Sequence, residues 1–204
     1  MMFSKLLLAA KWRVDAHVVR CRKKLVFEGK IASHAAPQPH FVSFYTGSED
    51  DLRKFAAMRA VGYDAESVRF CTERLRAGDE LTIGIVDGQY AFSAWLMFGM
   101  LDLAVNDLIT TRPDEVWGYK AFTVARFRGR GILAAFYEFQ KPRLAQRGFR
   151  RILGAIDSHN SASIRAHQRA SHVQIAHFYE FRLFHTKSRF VLCKDFKALV
   201  MKRS

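Results

Sequence analysis

A mixed α/β fold, with a mostly antiparallel central sheet flanked by helices, is predicted by three features of this 204-residue sequence. Apolar periodicity alternates between strand-like and helix-like in the order strand, two helices, three strands, helix, strand, helix, two strands. Asp87-Gly88 joins two β-prone apolar runs and marks a tight hairpin turn. Phe127-Arg128-Gly129-Arg130-Gly131-Ile132, rich in glycine and arginine, separates a strand pattern from a helix pattern.

Taken in order, residues 1–39 read as a basic amphipathic extension and linker ahead of a domain over residues 40–204. The first 30 residues carry a net charge of +6, and Phe3, Leu6, Leu7, Trp12, Val18, Val19, Leu25, Val26 and Phe27 interleave with the cations as a helical apolar stripe would. Pro37 and Pro39 disfavour helix at the residues before them, so the stretch after Ile31 reads as a linker. His40–Tyr45 is a short β-rich run. Ser48 is placed to cap a helix from about Glu49 to Ala60, whose first turn is acidic, and a second helix runs from Asp64 to Ala77, ended by Gly78. Leu81–Val86 and Tyr90–Phe98 form the hairpin, Met100–Pro113 reads as an insertion, and Val116–Val124 returns to strand. A helix from Gly131 is expected to kink or stop early at Pro142. A strand over Arg151–Ile156, a helix from Asn160 to Ala170, and strands around Val173–Phe184 and Phe190–Phe196 complete the chain.

Composition narrows the class. Half the residues are hydrophobic, with 18 Phe and 3 Trp, enough for one full core and contrary to disorder. Lys and Arg number 33 against 19 acids, and the formal charge of +14 attracts phosphates, anionic lipid or acidic protein; a plainly solvated basic surface is the alternative. Cys21, Cys71 and Cys193 are odd in number and lack the paired spacing of a zinc or redox site, so each reads as a small apolar side chain and no metal is expected. No apolar run reaches the roughly 18 residues of a membrane span. A cytoplasmic protein is expected, with peripheral membrane attachment through the N-terminal segment as a further expectation.

The turn between strand and helix is an anion-binding arrangement. Glycines let the backbone approach a ligand, successive N–H groups converge on phosphate oxygens, and a helix N-terminus adds about half a positive charge. Neither the P-loop pattern nor the full dinucleotide-fold pattern is present, which disfavours ATP and NAD and leaves coenzyme A. A basic surface loop or an RNA-gripping turn has the same composition.

The stretch from Ala121 to Ile132 resembles the GNAT superfamily of N-acyltransferases, in which a strand leads into Arg/Gln-x-x-Gly-x-Gly/Ala and a helix. Asp157-Ser158-His159-Asn160 through Ser163 to His167 resembles that family's second block. The resemblance covers roughly His40 to Phe196. It departs from the family at Leu133, where Gly or Ala is commonest, and at Ser171-His172, which stands for a Gly-Phe closing turn. An alternative register begins at Arg126. The resemblance implies acetyl-CoA as acyl-donor cosubstrate, held by Phe122, Thr123 and Val124 on the strand edge, by Arg128, Gly129, Arg130, Gly131 and Ile132 at the turn, and by Asn160 and Ser163 on the next helix. It also implies an amine acceptor and a catalytic role for His167, which occupies the place of the family's Tyr proton donor. Glu115 and Tyr119, on the strand before the turn, are the candidate bases.

Two other functions compete. On the same fold, an acidic acyl-carrier protein rather than coenzyme A would serve as donor; from a different class, a non-enzymatic basic module would bind nucleic acid or anionic membrane through the Arg-Gly turn. Transfer from aminoacyl-tRNA is a third reading, without a motif to support it. No residue in Ala60–Gly78 or Met100–Pro113 identifies the acceptor.

Overall fold

Among the described residues, eight strands form one sheet in the order β2-β3-β4-β5-β6-β1-β7-β8, which contains the expected mixed, mostly antiparallel architecture. The computed structural model describes residues 19–31, 40–58, 63–99, 112–183 and 189–194. Expectations for residues 1–18, for most of the linker after Ile31 and for the insertion from Met100 lie outside the described residues.

The strands are β1 (Val19–Lys30), β2 (Ser43–Thr46), β3 (Glu80–Val86), β4 (Gln89–Phe98), β5 (Glu115–Thr123), β6 (Arg151–Asp157), β7 (Val173–Leu183) and β8 (Arg189–Lys194). The helices are α1 (Glu49–Ala57), α2 (Ala65–Arg76), α3 (Ile132–Gln146) and α4 (Ser161–Arg169). Local chemistry explains most boundaries. Ser48 and Asp51 form a reciprocal capping box at the start of α1, and Asp64 caps α2 by accepting the Ser67 N–H at 2.8 Å. Asp87 and Gly88 both have positive φ, 49° and 70°, as the tight turn between β3 and β4 demands.

The principal correction concerns β1. Residues 19–30 were expected in a helical extension, and the domain was expected to begin at residue 40; instead these residues form a strand between β6 and β7, antiparallel to both. Val26 and Phe27 are buried, while Arg22 and Lys30 are exposed. Cations interrupt the period-two pattern of this strand, so its apolar residues also fit a helical stripe. Long-range pairing decides between the two.

Pro142 neither ends nor shortens α3, which continues to Gln146. The missing proline N–H falls in the last turns, and the helix is pinned on both sides of it: Gln140 donates to Thr82 Oγ1 at 2.7 Å and Leu144 is buried.

Two apolar layers sandwich the sheet. On one face α3 packs with Phe92, Leu96, Val116 and Ile152. On the other, Leu52, Phe55 and Cys71 of α1 and α2 pack on Leu81, Ile83 and Trp95. Val26, Met97, Trp117 and Leu153 form a third cluster. Arginines tie the strand ends. Arg151 pairs with Glu115 and, at 3.1 Å, with Glu28; Glu80 pairs with Arg147.

Candidate functional site: a split sheet beside a glycine-rich turn

β5 and β6 are the one parallel pair among the described strands, and they separate halfway. The register runs from Glu115 opposite Arg151 to Gly118 opposite Gly154 and stops. Beyond it β5 stays paired with β4 alone, Tyr119 opposite Trp95 and Thr123 opposite Phe92, while β6 stays paired with β1 as far as Asp157. Among the described strands, none pairs with the gap-facing side of β5 at Phe122 and Thr123.

β5 also carries a bulge. Between Ser93/Phe122 and Trp95/Tyr119 the register gains a residue on β5, and Lys120 adopts a positive φ of 46°. The extra residue reverses the alternation, so Tyr119 and Phe122 both pack on the cluster beneath α1 and α2. A non-glycine residue at positive φ inside a strand is strained, and such strain is characteristic of functional positions.

The turn follows directly. Val124 remains tied to β4 through its N–H to Ala91 O at 2.9 Å, a short 3₁₀ turn spans Ala125–Phe127, and Gly129 and Gly131 take positive φ of 78° and 79°. Gly131 is the N-cap of α3 and has no side chain with which to cap it, so first-turn N–H groups are left for an external acceptor. Arg128 Nε donates to Thr123 O at 3.1 Å, bracing the turn. The guanidiniums of Arg126 and Arg130 lie over Phe127 at 4.8 and 5.9 Å, and that of Arg130 lies 5.6 Å from the Phe41 ring. Ile132 is buried and anchors the helix start, whereas Arg128, Gly129, Arg130 and Gly131 are exposed. No described atom stands within 4 Å of a Cβ built at Gly129 or Gly131, so the space above the turn is open.

Asn160 caps α4, accepting the Ser163 N–H at 3.0 Å, and is exposed at the end of the loop that follows β6. The strand edge of Phe122, Thr123 and Val124, the turn from Arg128 to Ile132, and Asn160 with Ser163 thus stand at the C-terminal ends of the two parting strands.

The expected catalytic residues do not join them. Glu115 lies at the closed end of the split, eight residues and roughly 25 Å along β5 from Thr123. It is 1% exposed, pairs with Arg151 and accepts the Arg112 N–H at 3.0 Å. Tyr119 donates its hydroxyl to Asp79 Oδ2 at 2.6 Å, and Asp79 is in turn held by Arg74 at 2.8 and 2.9 Å. Burial and the Asp79 carboxylate both push the Tyr119 phenol well above its ordinary range, so it is a hydrogen-bond donor at neutral pH, not a base.

His167 is 6% exposed and turned into the space between α4 and α3. Its Nδ1 is 2.9 Å from Ser163 O and its Nε2 is 3.0 Å from the Tyr137 hydroxyl. A carbonyl only accepts, so Nδ1 carries the proton and Nε2 accepts from Tyr137. Burial, opposed by the Ser163 carbonyl, holds His167 below its ordinary pKa and neutral at pH 7. A neutral ring with both nitrogens engaged is not poised as an acid. Beside it lies a group that sequence reading missed: His172, buried, its ring centroid 4.0 Å from that of Tyr137 and 5.5 Å from that of His167. Its Nε2 has no hydrogen-bond partner among the described residues, and a Cβ at Gly29 of β1 would collide with its ring. Gly29 was a signal for close approach, but the approaching element could not be read locally.

Among the described residues, no group of three or more His, Cys, Asp or Glu side chains is placed to hold a metal ion, and no helix is long and apolar enough to cross a membrane.

No protein-family model matches the sequence, and no curated protein is similar to it in sequence. Solved structures are similar in fold. A GNAT-family acetyltransferase from Colwellia psychrerythraea superposes with a TM-score of 0.58 at 14% identity, over 90% of this chain and 62% of that one. A GCN5-related N-acetyltransferase from Sphaerobacter thermophilus gives 0.57 at 15% identity, over 88% and 57%. A conserved protein of unknown function from Staphylococcus epidermidis gives 0.61 at 10% identity, over 89% and 68%. The chain thus spans less than two thirds of the length of each of these two acetyltransferases. At these identities the likeness concerns the fold, and the fold is GNAT-like.

Proposed function

We propose that this protein is an N-acyltransferase that passes an acetyl or related acyl group from a coenzyme A thioester directly to an amine within a ternary complex. The observation that carries the reading is the split between β5 and β6 opening onto the Gly129/Gly131 turn at the N-terminus of α3. A long donor with a diphosphate at one end and an amide-containing arm at the other suits that pair of features. The diphosphate takes the turn's N–H groups and the charges of Arg126, Arg128 and Arg130, and the arm pairs with the gap-facing side of β5 at Phe122 and Thr123 as an added strand.

The chemistry needs little from side chains. The amine nitrogen attacks the thioester carbonyl, the C–N bond forms, and the C–S bond breaks. An acceptor that arrives as an ammonium first gives one proton to solvent, the attacking nitrogen gives up a second once the C–N bond has formed, and the departing thiolate takes one up. Charge developing on the thioester oxygen requires a preorganised donor, and the backbone of β5 beyond the bulge, toward Phe122, is the candidate. His167, through Tyr137, is a positioning residue that fixes α4 against α3. Glu115 and Tyr119 support the sheet and α2.

The test is binding of acetyl-CoA by calorimetry, with free coenzyme A and an acyl-loaded carrier protein as alternative donors. Micromolar-range affinity for acetyl-CoA is expected, lost in Gly131→Val, which places a β-branched side chain in the open space above the turn. A folded Gly131→Val variant with wild-type affinity would overturn the placement. Saturation by the carrier protein alone would make that the donor.

A further inference from the structure

Resting on the acyltransfer reading, we infer that Asp157 is the acceptor-binding group of this site: its carboxylate, at the open end of the split, receives the ammonium of an aliphatic primary amine.

The two faces of the split are not equivalent. α3 begins at the turn and packs on the face that includes Ile152, so the anion-binding end belongs to that face. Residues two apart on a strand share a face, and Leu153 packs with Trp117 and Val26 on the opposite one. Asp157, four residues past Leu153, therefore projects from the opposite face, as does its register partner Lys24. Tyr119, Trp95 and α2 occupy this same face. An acceptor approaching opposite the donor meets Asp157 where β6 has left β5.

The other strand carboxylates with described side chains are already committed. Glu28 and Glu115 share Arg151, and Glu80 is bracketed by Arg147 and Arg143. Asp157 differs. Its Oδ1 accepts the His159 N–H at 3.1 Å, which fixes its orientation, but its cation is the Lys24 ammonium at 3.6 Å, beyond hydrogen-bond length. About a quarter of the side chain is exposed. Partial burial pushes its pKa up, yet the His159 N–H, Lys24 and Arg22 outweigh this and hold it below the ordinary carboxylate range, so it is charged at neutral pH. A fixed, reachable, charged carboxylate whose lysine is loosely held can exchange that lysine for a substrate ammonium, because the flexible lysine stem can swing aside.

An alkylamine has a pKa of about 10 and arrives protonated, whereas an arylamine arrives neutral. The site should therefore prefer alkylamines, and the preference should depend on Asp157. The experiment measures release of the coenzyme A thiol from acetyl-CoA with 1,4-diaminobutane and with p-anisidine, in wild type, Asp157→Asn and Asp157→Glu. Loss of a charge-assisted hydrogen bond predicts a KM for 1,4-diaminobutane raised at least about tenfold in Asp157→Asn, with kcat and acetyl-CoA affinity within a few-fold. Asp157→Glu should restore part of it, and p-anisidine should be indifferent to both changes. An unchanged KM in Asp157→Asn, or no turnover of 1,4-diaminobutane by a wild type that binds acetyl-CoA, overturns this inference and leaves the donor assignment standing. A wild type that binds no acyl-CoA overturns both.

Discussion

The carbonyl oxygen of Gly118 lies where a β-carbon on Gly154 would come within 3.2 Å, and these two glycines are the last register pair between β5 and β6. This close approach falls just where the strands begin to part. An alanine at residue 154 would require the Gly118 peptide to yield by a few tenths of an ångström, and a β-branched residue would require more. Gly154→Val is therefore expected to cost about 1–3 kcal/mol, the range for overpacking, and to weaken acetyl-CoA binding more than Gly29→Ala does. Urea midpoints and calorimetry read the two effects. Wild-type stability and affinity in Gly154→Val would show that the close approach has no role.

Deleting residues 1–30 tests the placement of β1. The strand lies between β6 and β7 and contributes the buried Val26 and Phe27, so its removal leaves two strands without their shared neighbour. Loss of cooperative unfolding is expected, as is the same outcome for Val26→Asp, which buries a charge in the Trp117 cluster. A truncated chain that unfolds cooperatively and binds acetyl-CoA would restore the boundary at residue 40.

Such long-range placement is where sequence reading failed, and the reasons are physical. Elements whose signals are local were legible: the Ser48 N-cap, the Asp87-Gly88 turn, the glycine-rich turn ahead of α3, and a helix beginning near Asn160. β1 was not, because its apolar positions fit two periods and only its partners choose one. The arrest of β5–β6 pairing at Gly118 and the bulge at Lys120 are relations between strands, invisible in either strand alone. Glu115 was misleading for the same reason. Its proximity in sequence to the turn says nothing of Arg151, which sits opposite it and takes its charge.

Stability should fall as the solution is acidified from about pH 6.5 toward pH 3, and His172 should be a principal cause. Burial first, then the neighbouring His167 and Lys141, hold its folded pKa at about 3, while in the unfolded chain it returns to about 6.5. Between those values the unfolded chain binds the proton and the folded chain does not, so each step down in pH favours unfolding. Tyr137 packs against the ring at a tilt, and His167, also depressed, adds in the same direction. His172→Gln is expected to lower stability at pH 7 but to lose less between pH 7 and pH 5 than wild type. An identical pH slope in the two proteins would assign the acid sensitivity elsewhere.

His167 provides the test that separates chemistry from architecture. A general acid would contribute about 10²–10⁴-fold to the rate. The structure instead gives it an Nδ1 proton committed to Ser163 O and an Nε2 that accepts from Tyr137, inside a contact with Phe27 and His172. His167→Ala removes this packing and leaves the Tyr137 hydroxyl buried without its acceptor, so a stability loss of about 2–4 kcal/mol is expected from the cavity and the orphaned polar group together. His167→Gln, which retains a hydrogen-bonding group, should recover part of that stability and keep kcat within a few-fold of wild type at saturating substrates. Its kcat–pH profile should also match that of wild type, since a neutral positioning residue contributes no ionisation to the rate. A folded His167→Gln variant that loses more than a hundredfold in kcat, with acyl transfer rate-limiting and the basic limb of the profile abolished, would return the proton-donor role to His167. It would also require α4 to rotate that ring toward the split before reaction.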